Sequence, residues 1–369
     1  MKILYLANIP SPYRVDYYNE LGKTCELTVL FETDASLERD NTWKEYHFAN
    51  FRGIVMKGLR VSVDMAFCPG VTKYLKTEQY DVVVLTVLAS PTAILAAHTL
   101  QRRRIPYFYE GDGGFAGKPI GLKSKIKRYI ISNAYKCFST SEEFDRYCMT
   151  YGARRENLLR YPFTSVRKKE LPSMPPGKEE RRRWKREFGI REECAVVSVG
   201  QFIRRKGFDL LLECCRDLPE EVGIYIVGGK PTEEYLVLCE RYHLKQVHFM
   251  EFMPRERLMQ FYKAMDLFVL FTREDIWGLV VNEAMANGLP VISTDRCIAA
   301  LELIRQGENG FLVETENLSQ MREALHKLVS SEELRERMSG EAIRTMERYT
   351  IENMAEEHRK VFAHEGKLL

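Results

Sequence analysis

The sequence has no Cys-x-x-Cys pair, no Asp-x-Asp, no low-complexity tract and no internal repeat at about 20–50 residues. Nine cysteines, odd in number and scattered, build neither a zinc ribbon nor a disulfide scaffold, and they fit a reducing compartment. Seven histidines are dispersed without ligand spacing, so no metal site is expected. Charge of one sign is also lacking, with 55 basic against 52 acidic residues and a net +3. At 45% apolar content the chain is too hydrophobic for disorder. No recognisable reader module appears, which argues against nucleic acid as a partner. The opening MKILYLANIP, with one lysine and an early proline, reads as a first strand and not as a signal peptide.

A long uninterrupted apolar run is missing too. Residues 82–101, VVVLTVLASPTAILAAHTLQ, carry no formal charge, but Ser90-Pro91 splits them into a Val-rich and an Ala/Leu-rich half. Strand, turn and a helix starting near the proline account for that break without a membrane span.

What is present is a series of short apolar runs separated by helix-length stretches. They fall at 2–8, 25–31, 81–88, 106–110 and 136–140, then at 195–201, 223–228, 247–252, 267–272, 290–294 and 310–313. Continuous rather than alternating apolar runs suit strands buried on both faces of a parallel sheet. Two such series in 369 residues predict two Rossmann-like, doubly wound α/β domains. The expected division is 1–165, a basic Pro-containing linker at 166–190, a second domain at 191–345 and a terminal helix at 346–369. Residues 166–191 carry 10 basic and 4 acidic side chains, and residues 101–136 carry nine and two.

The most informative stretch is LFVLFTREDIWGLVVNEAMANGLPVISTD, Leu267 to Asp295. It reads as a strand ending at Thr272, a loop carrying Arg273, Glu274 and Asp275, and a helix over Leu279–Ala286 started by Gly278. Asn287-Gly288 closes that helix. Asp275 and Glu283 are expected at the carboxyl edge of the sheet, where doubly wound folds bind ligands. The free amides at the helix start suit phosphate, and a carboxylate one turn in suits a pair of vicinal hydroxyls. Phosphate, ribose and sugar hydroxyls together describe a nucleotide sugar.

The acid, the glutamate after seven intervening residues and the following Ala-Met-Ala-x-Gly-x-Pro-Val-Ile resemble family four of the retaining glycosyltransferases, of the GT-B fold. VVSVGQFIRRKGFDLLLE (Val196 to Glu213), IVGG (Ile226 to Gly229) and the ending YTIENMAEEHRKVF (Tyr349 to Phe362) are similar to further segments of that family. The resemblance is strongest over 195–313 and extends, more weakly, along the rest. It implies two domains facing across a cleft, with the last helix returning to the first. It also implies a metal-independent hexosyl transfer from a nucleotide-sugar donor to a glycan or lipid-linked acceptor, with no cofactor, in cell-surface polysaccharide synthesis. Glu283 would bind the donor ribose and Asp275 the transferred sugar. Lys206 would neutralise the leaving diphosphate, helped by Arg204, Arg205 and the backbone around Gly200, Gly278, Leu279 and Val280. Glu274 is the neighbouring acid that reaches the sugar if Asp275 does not. Four positions depart from the family pattern: Asp275 replaces glutamate, Gln201 replaces arginine, and Ala299-Ala300 replace two glycines.

In the first half, YFYEGDGGF sets Glu110 and Asp112 at the carboxyl edge, where either is expected to orient or deprotonate the acceptor hydroxyl. Arg14, in IPSPYR, is expected to face the cleft. Over Gly121 to Lys136, Leu122, Ile126, Tyr129 and Ile130 form one stripe flanked by lysines. A helix packed on its own sheet and a helix lying on an anionic inner-leaflet surface both fit that pattern. The expected location is accordingly cytoplasmic, with or without peripheral membrane contact. Two other functions share the fold and the motifs, a sugar-nucleotide epimerase and a non-catalytic nucleotide-sugar-binding protein.

Overall fold

A computed structural model describes residues 1–34, 47–76 and 79–366. The chain divides into two compact units, Met1–Ser165 together with the chain from Thr350, and Val166–Tyr349.

The first unit is built on strands β1 (Lys2–Ala7), β2 (Glu26–Phe31), β3 (Arg52–Val55), β4 (Leu59–Arg60), β5 (Ala66–Phe67), β6 (Val82–Leu85), β7 (Phe108–Glu110), β8 (Lys136–Ser139) and β9 (Leu158–Arg160). Seven of them form a parallel sheet ordered β3-β2-β1-β6-β7-β8-β9, and β4 and β5 form a separate antiparallel pair. The apolar runs became strands because both faces are covered, and β6 is buried at all four positions. Strands β3, β4, β5 and β9 lie outside the expected runs. They are short and partly exposed, so they carry no continuous apolar run. The uncharged stretch at 82–101 divides into β6, a turn and a helix, Pro91–Arg102, whose Ser90 cap accepts from the Ala93 amide at 2.9 Å. No described helix is long and apolar enough to cross a membrane.

The second unit contains β10 (Cys194–Val199), β11 (Val222–Val227), β12 (Val247–Met250), β13 (Leu267–Leu270), β14 (Val291–Thr294) and β15 (Gly310–Val313). Their order is β12-β11-β10-β13-β14-β15, all parallel, which is the doubly wound Rossmann arrangement. The order of strand addition reverses between β10 and β13. That reversal is the point where doubly wound sheets bind ligands, at the carboxyl ends of the strands.

Two expectations about boundaries need correction. Residues 166–190 are not a free linker but part of the second unit. Lys178–Phe188 is a helix, and its Lys185 reaches Asp266 Oδ2 at 2.7 Å and two backbone carbonyls. The terminal segment begins at Thr350 rather than 346, because the preceding helix Glu332–Met346 packs on Leu279–Ala286 in the second unit. The last helix, Ile351–Glu365, packs against Pro12–Leu21 in the first unit. Residues 367–369 lie outside the described residues.

Candidate functional site

In the second unit the loop after β10 carries Gly200 to Gly207, and the loop after β13 carries Thr272 to Gly278. Sequence position alone does not bring them together; their backbones do. Arg273 N donates to the Arg205 carbonyl at 2.8 Å, and the Thr272 hydroxyl donates to the same oxygen at 2.8 Å. Arg273 then clamps the pair of loops, bidentate to Asp209 at 2.7 and 2.8 Å and donating to the Arg204 carbonyl at 2.8 Å. Gly207 makes this approach feasible. It sits at φ 69°, and a Cβ there would lie 1.9 Å from the Phe271 carbonyl oxygen.

This docking puts Lys206 Nζ 2.5 Å from Asp275 Oδ2, with the two side chains 13% and 11% exposed. Arg205 stands 3.8 Å from the other oxygen of Asp275 and donates to the Glu274 carbonyl at 2.7 Å. Gly200 leaves room for the lysine stem, since a Cβ there would meet its methylenes at 3.2–3.3 Å. Lys206 and Asp275, expected to act on different parts of the donor, thus hold each other. Asp275 is further fixed through its backbone, its amide donating to the Arg296 carbonyl at 2.7 Å and its carbonyl accepting from Ile298 at 3.2 Å. Glu274 is turned outward to Arg296 at 3.0 Å, and Arg204 is exposed.

Gly278, at φ 100°, starts the helix Leu279–Ala286 as the motif predicts; a Cβ would press on Cys297 Sγ at 2.7 Å. First-turn amides such as those of Leu279 and Val280 have no acceptor within a helix and form a ready anion site. Glu283 lies one turn further and is buried, and burial together with its charge drives the neighbouring Tyr262 hydroxyl upward in pKa. Ala299 and Ala300 are fully buried, and the Ala299 amide already donates to the Trp277 carbonyl at 2.8 Å. They are therefore packing residues rather than backbone donors awaiting a sugar. Burial, reinforced by the charge of Asp275, pushes the Cys297 thiol up to about 12, so it stays neutral. Among the described residues no three His, Cys, Asp or Glu side chains gather as a metal site.

In the first unit the sequence-predicted residues also meet, with different roles. The Arg14 guanidinium bridges Glu110 and Asp112. Glu110 is fully buried, accepts from Tyr5 at 3.1 Å and faces His358 Nε2 at 3.3 Å. Burial alone would raise its carboxyl; Arg14 and His358 overturn that and hold it at about 2. A carboxylate so stabilised and closed to solvent is no general base, which corrects the expectation for Glu110. Arg14 is buried as well, turned onto the two carboxylates. Asp112 keeps 30% of its side chain exposed and accepts from Tyr13 at 2.7 Å. Of the two acids it alone can touch a substrate. Tyr5, Tyr13 and His358 were not singled out by sequence. His358 comes from the far end of the chain, and a lone histidine in an amphipathic helix carries no mark of its partner.

Residues 180–345 match the family model described as Glycosyl transferases group 1. The D-inositol 3-phosphate glycosyltransferase of Nocardia farcinica is 28% identical over 67% of this chain and 55% of its own length. The lipopolysaccharide core biosynthesis glycosyltransferase LpsE of Rhizobium meliloti is 30% identical over 41% of this chain and 44% of its own. The chain thus spans about half the length of the curated relatives it matches. Among solved structures, Anabaena HepE in complex with UDP is similar in fold, with a TM-score of 0.80, 17% identity and coverage of 99% and 100% of the two chains. The same protein has been solved with UDP-glucose.

Proposed function

We propose that this chain, which carries a glycosyl transferases group 1 domain over residues 180–345, is a retaining, metal-independent hexosyltransferase. It moves a sugar from a nucleotide donor to a hydroxyl of a glycan or lipid-linked acceptor in cell-surface polysaccharide synthesis. The observation that carries this reading is the Lys206–Asp275 pair beside the first turn of the Leu279–Ala286 helix, at the point where strand order reverses.

Breaking the anomeric bond leaves growing negative charge on the diphosphate. Lys206 and the helix amides are the cationic and dipolar groups to meet it, and fixed groups of this kind often supply the greatest share of an enzyme's rate enhancement. Asp275 keeps the lysine in position before the donor arrives. As the diphosphate draws the ammonium away, the carboxylate is freed to accept hydroxyls of the transferred sugar. Glu283, one turn into the helix, accepts from the ribose. Asp112, oriented by Arg14 and Tyr13, is the acceptor-side carboxylate. The family match supports the chemistry, the LpsE relative supports the biosynthetic setting, and HepE with UDP-glucose indicates a ligand class that this fold accommodates.

A cytoplasmic location with contact to the inner membrane surface belongs to the same proposal. In the Gly121–Ile131 helix only Ile130 and Ile131 are buried, while Ile120 and Leu122 stand 78% and 73% exposed among Lys118, Lys123 and Lys125. Two exposed aliphatics ringed by lysines suit an anionic lipid surface.

The test is proton NMR of the anomeric product formed from nucleotide-sugar donors in the presence of EDTA. Transfer with retained configuration is expected. An inverted product, or activity abolished by EDTA and restored by manganese, contradicts the proposal.

A further inference from the structure

The helix Lys178–Phe188 carries its cations in an order that charge solubility alone does not require. Lys178, Arg181, Arg182, Lys185 and Arg186 occupy positions i, i+3, i+4, i+7 and i+8, the stripe that in most helices faces a core. Trp184 and Phe188 pack beside it, the latter against Phe261 with ring centroids 4.9 Å apart, and Lys185 is the buried member of the stripe. The cationic stripe lines a groove of about 540 Å³, closed on its other sides by Arg191 to Cys194, Asp266 and the residues around Arg335.

At the base of this groove the charge of Asp266 is already taken up. Asp266 accepts from Lys185 at 2.7 Å and from the Ala195 amide at 2.8 Å. Arg181 Nε comes no nearer to it than 3.6 Å and is a buried donor with no acceptor among the described residues. On the facing wall Arg335, among the described residues, is bonded to the carbonyls of Leu328 and Val329 alone, at 2.7 and 2.8 Å. Arg186 and Arg191 are exposed and carry no ion pair among the described residues. Of the other acids lining the groove, Glu192 is turned to Tyr225 and His248 at 2.7 and 3.0 Å, Glu332 pairs with Lys178 at 3.1 Å, and Glu193 is exposed, so the lining keeps an excess of cations.

We infer that this groove is a second anion site, fitted to a small ligand bearing at least two phosphate groups. Guanidinium forks recognise phosphate oxygens in pairs, and the five arginines lining the groove exceed what one monophosphate can engage. The volume lies within the range of small-molecule sites. The site is distinct from the Lys206 loop. It opens at the amino end of β10, and that loop leaves the carboxyl end, about 17 Å away at roughly 3.3 Å per residue. Binding there does not depend on the transfer reaction.

The experiment is calorimetric titration of inorganic pyrophosphate, with inorganic phosphate in parallel, into the full chain at fixed ionic strength. Three proteins are compared: the natural chain, Lys206→Ala and the double variant Arg186→Gln/Arg191→Gln, whose exposed positions leave folding unaffected. Saturable pyrophosphate binding is expected to survive Lys206→Ala. In the double variant it should weaken by about tenfold or more, the usual scale for losing a charge-assisted contact. Phosphate should bind more weakly than pyrophosphate to the natural chain. Absence of saturable binding overturns the inference, as does equal affinity for the two anions. So does binding lost in Lys206→Ala but unchanged in the double variant. Capture of anionic vesicles through these arginines, uncompeted by pyrophosphate, would identify a membrane contact instead and also overturn it.

Discussion

Replacing Lys206 by alanine should separate two roles that the geometry combines. The ammonium lies 2.5 Å from Asp275, and both side chains are close to nine-tenths buried. Removing one member of a buried pair typically costs about 3–5 kcal/mol, because the remaining charge is left without its partner. Here Asp275 keeps Arg205 at 3.8 Å and some solvent, so a loss of about 2 kcal/mol is expected. Asp275→Asn removes that stranded charge, and Lys206→Ala/Asp275→Asn should regain most of the lost stability in urea unfolding. Turnover should not follow. If the lysine meets charge that grows on the diphosphate, its loss costs about 2.7–4 kcal/mol in barrier, or roughly a hundred- to a thousand-fold in kcat. That deficit should appear in Lys206→Ala itself while KM for the donor moves far less, and the double variant should not recover it. Steady-state kinetics on variants shown to be folded provides the measurement. If Lys206→Ala keeps kcat within about threefold, far short of that barrier cost, or if the double variant restores both stability and kcat, then the lysine serves only to hold the loop.

Gly207→Ala should lower stability by more than about 3 kcal/mol and abolish donor binding. Its Cβ would meet the Phe271 carbonyl at 1.9 Å in a left-handed conformation, and thermal unfolding with donor titration checks both effects. Glu110, held at about 2 against an ordinary 4.5, contributes stability that is complete above pH 4.5 and disappears as pH falls towards 2. Its contribution at neutral pH is on the order of 3 kcal/mol, and Glu110→Gln should flatten that acid limb of the stability profile. Glu32 behaves in the opposite sense. Burial lifts its carboxyl to about 7 despite hydrogen bonds from Ser90 and the Ala66 amide, so stability falls as pH rises from 4.5 through 7. Glu32→Gln should therefore raise the melting temperature at pH 8 relative to the natural chain and leave it nearly unchanged at pH 4.

The carboxyl-edge site of the second unit was legible because local chemistry and topology agree there. The order glycine, helix, Asn-Gly fixes the Leu279–Ala286 helix, and continuous apolar runs fix the strands on either side. What the sequence could not show was that Lys206 and Asp275 pair. That contact arises from Gly207 and Arg273 docking two loops separated by 69 residues. In the first unit, Glu110 and Asp112 were found, but their roles were not. Burial and the approach of His358 decide them, and both depend on a helix joining from the opposite end of the chain. Strands β3 and β9 escaped notice because short edge strands with half-exposed residues leave no apolar run to read.

If the edge formed by Lys206, Asp275, Gly278 and Glu283 holds a nucleotide sugar, binding should be visible as stabilisation. The most direct measurement is thermal unfolding with a panel of UDP-, GDP- and ADP-sugars, with the Glu283→Ala variant beside the natural chain. At a hundred times Kd, one member of the panel should stabilise the natural chain by about 2.7 kcal/mol. The shift should collapse in Glu283→Ala, whose ribose contact is gone. No stabilisation by any nucleotide sugar, or a shift of the same size in Glu283→Ala, would contradict the assignment of this edge as the donor site.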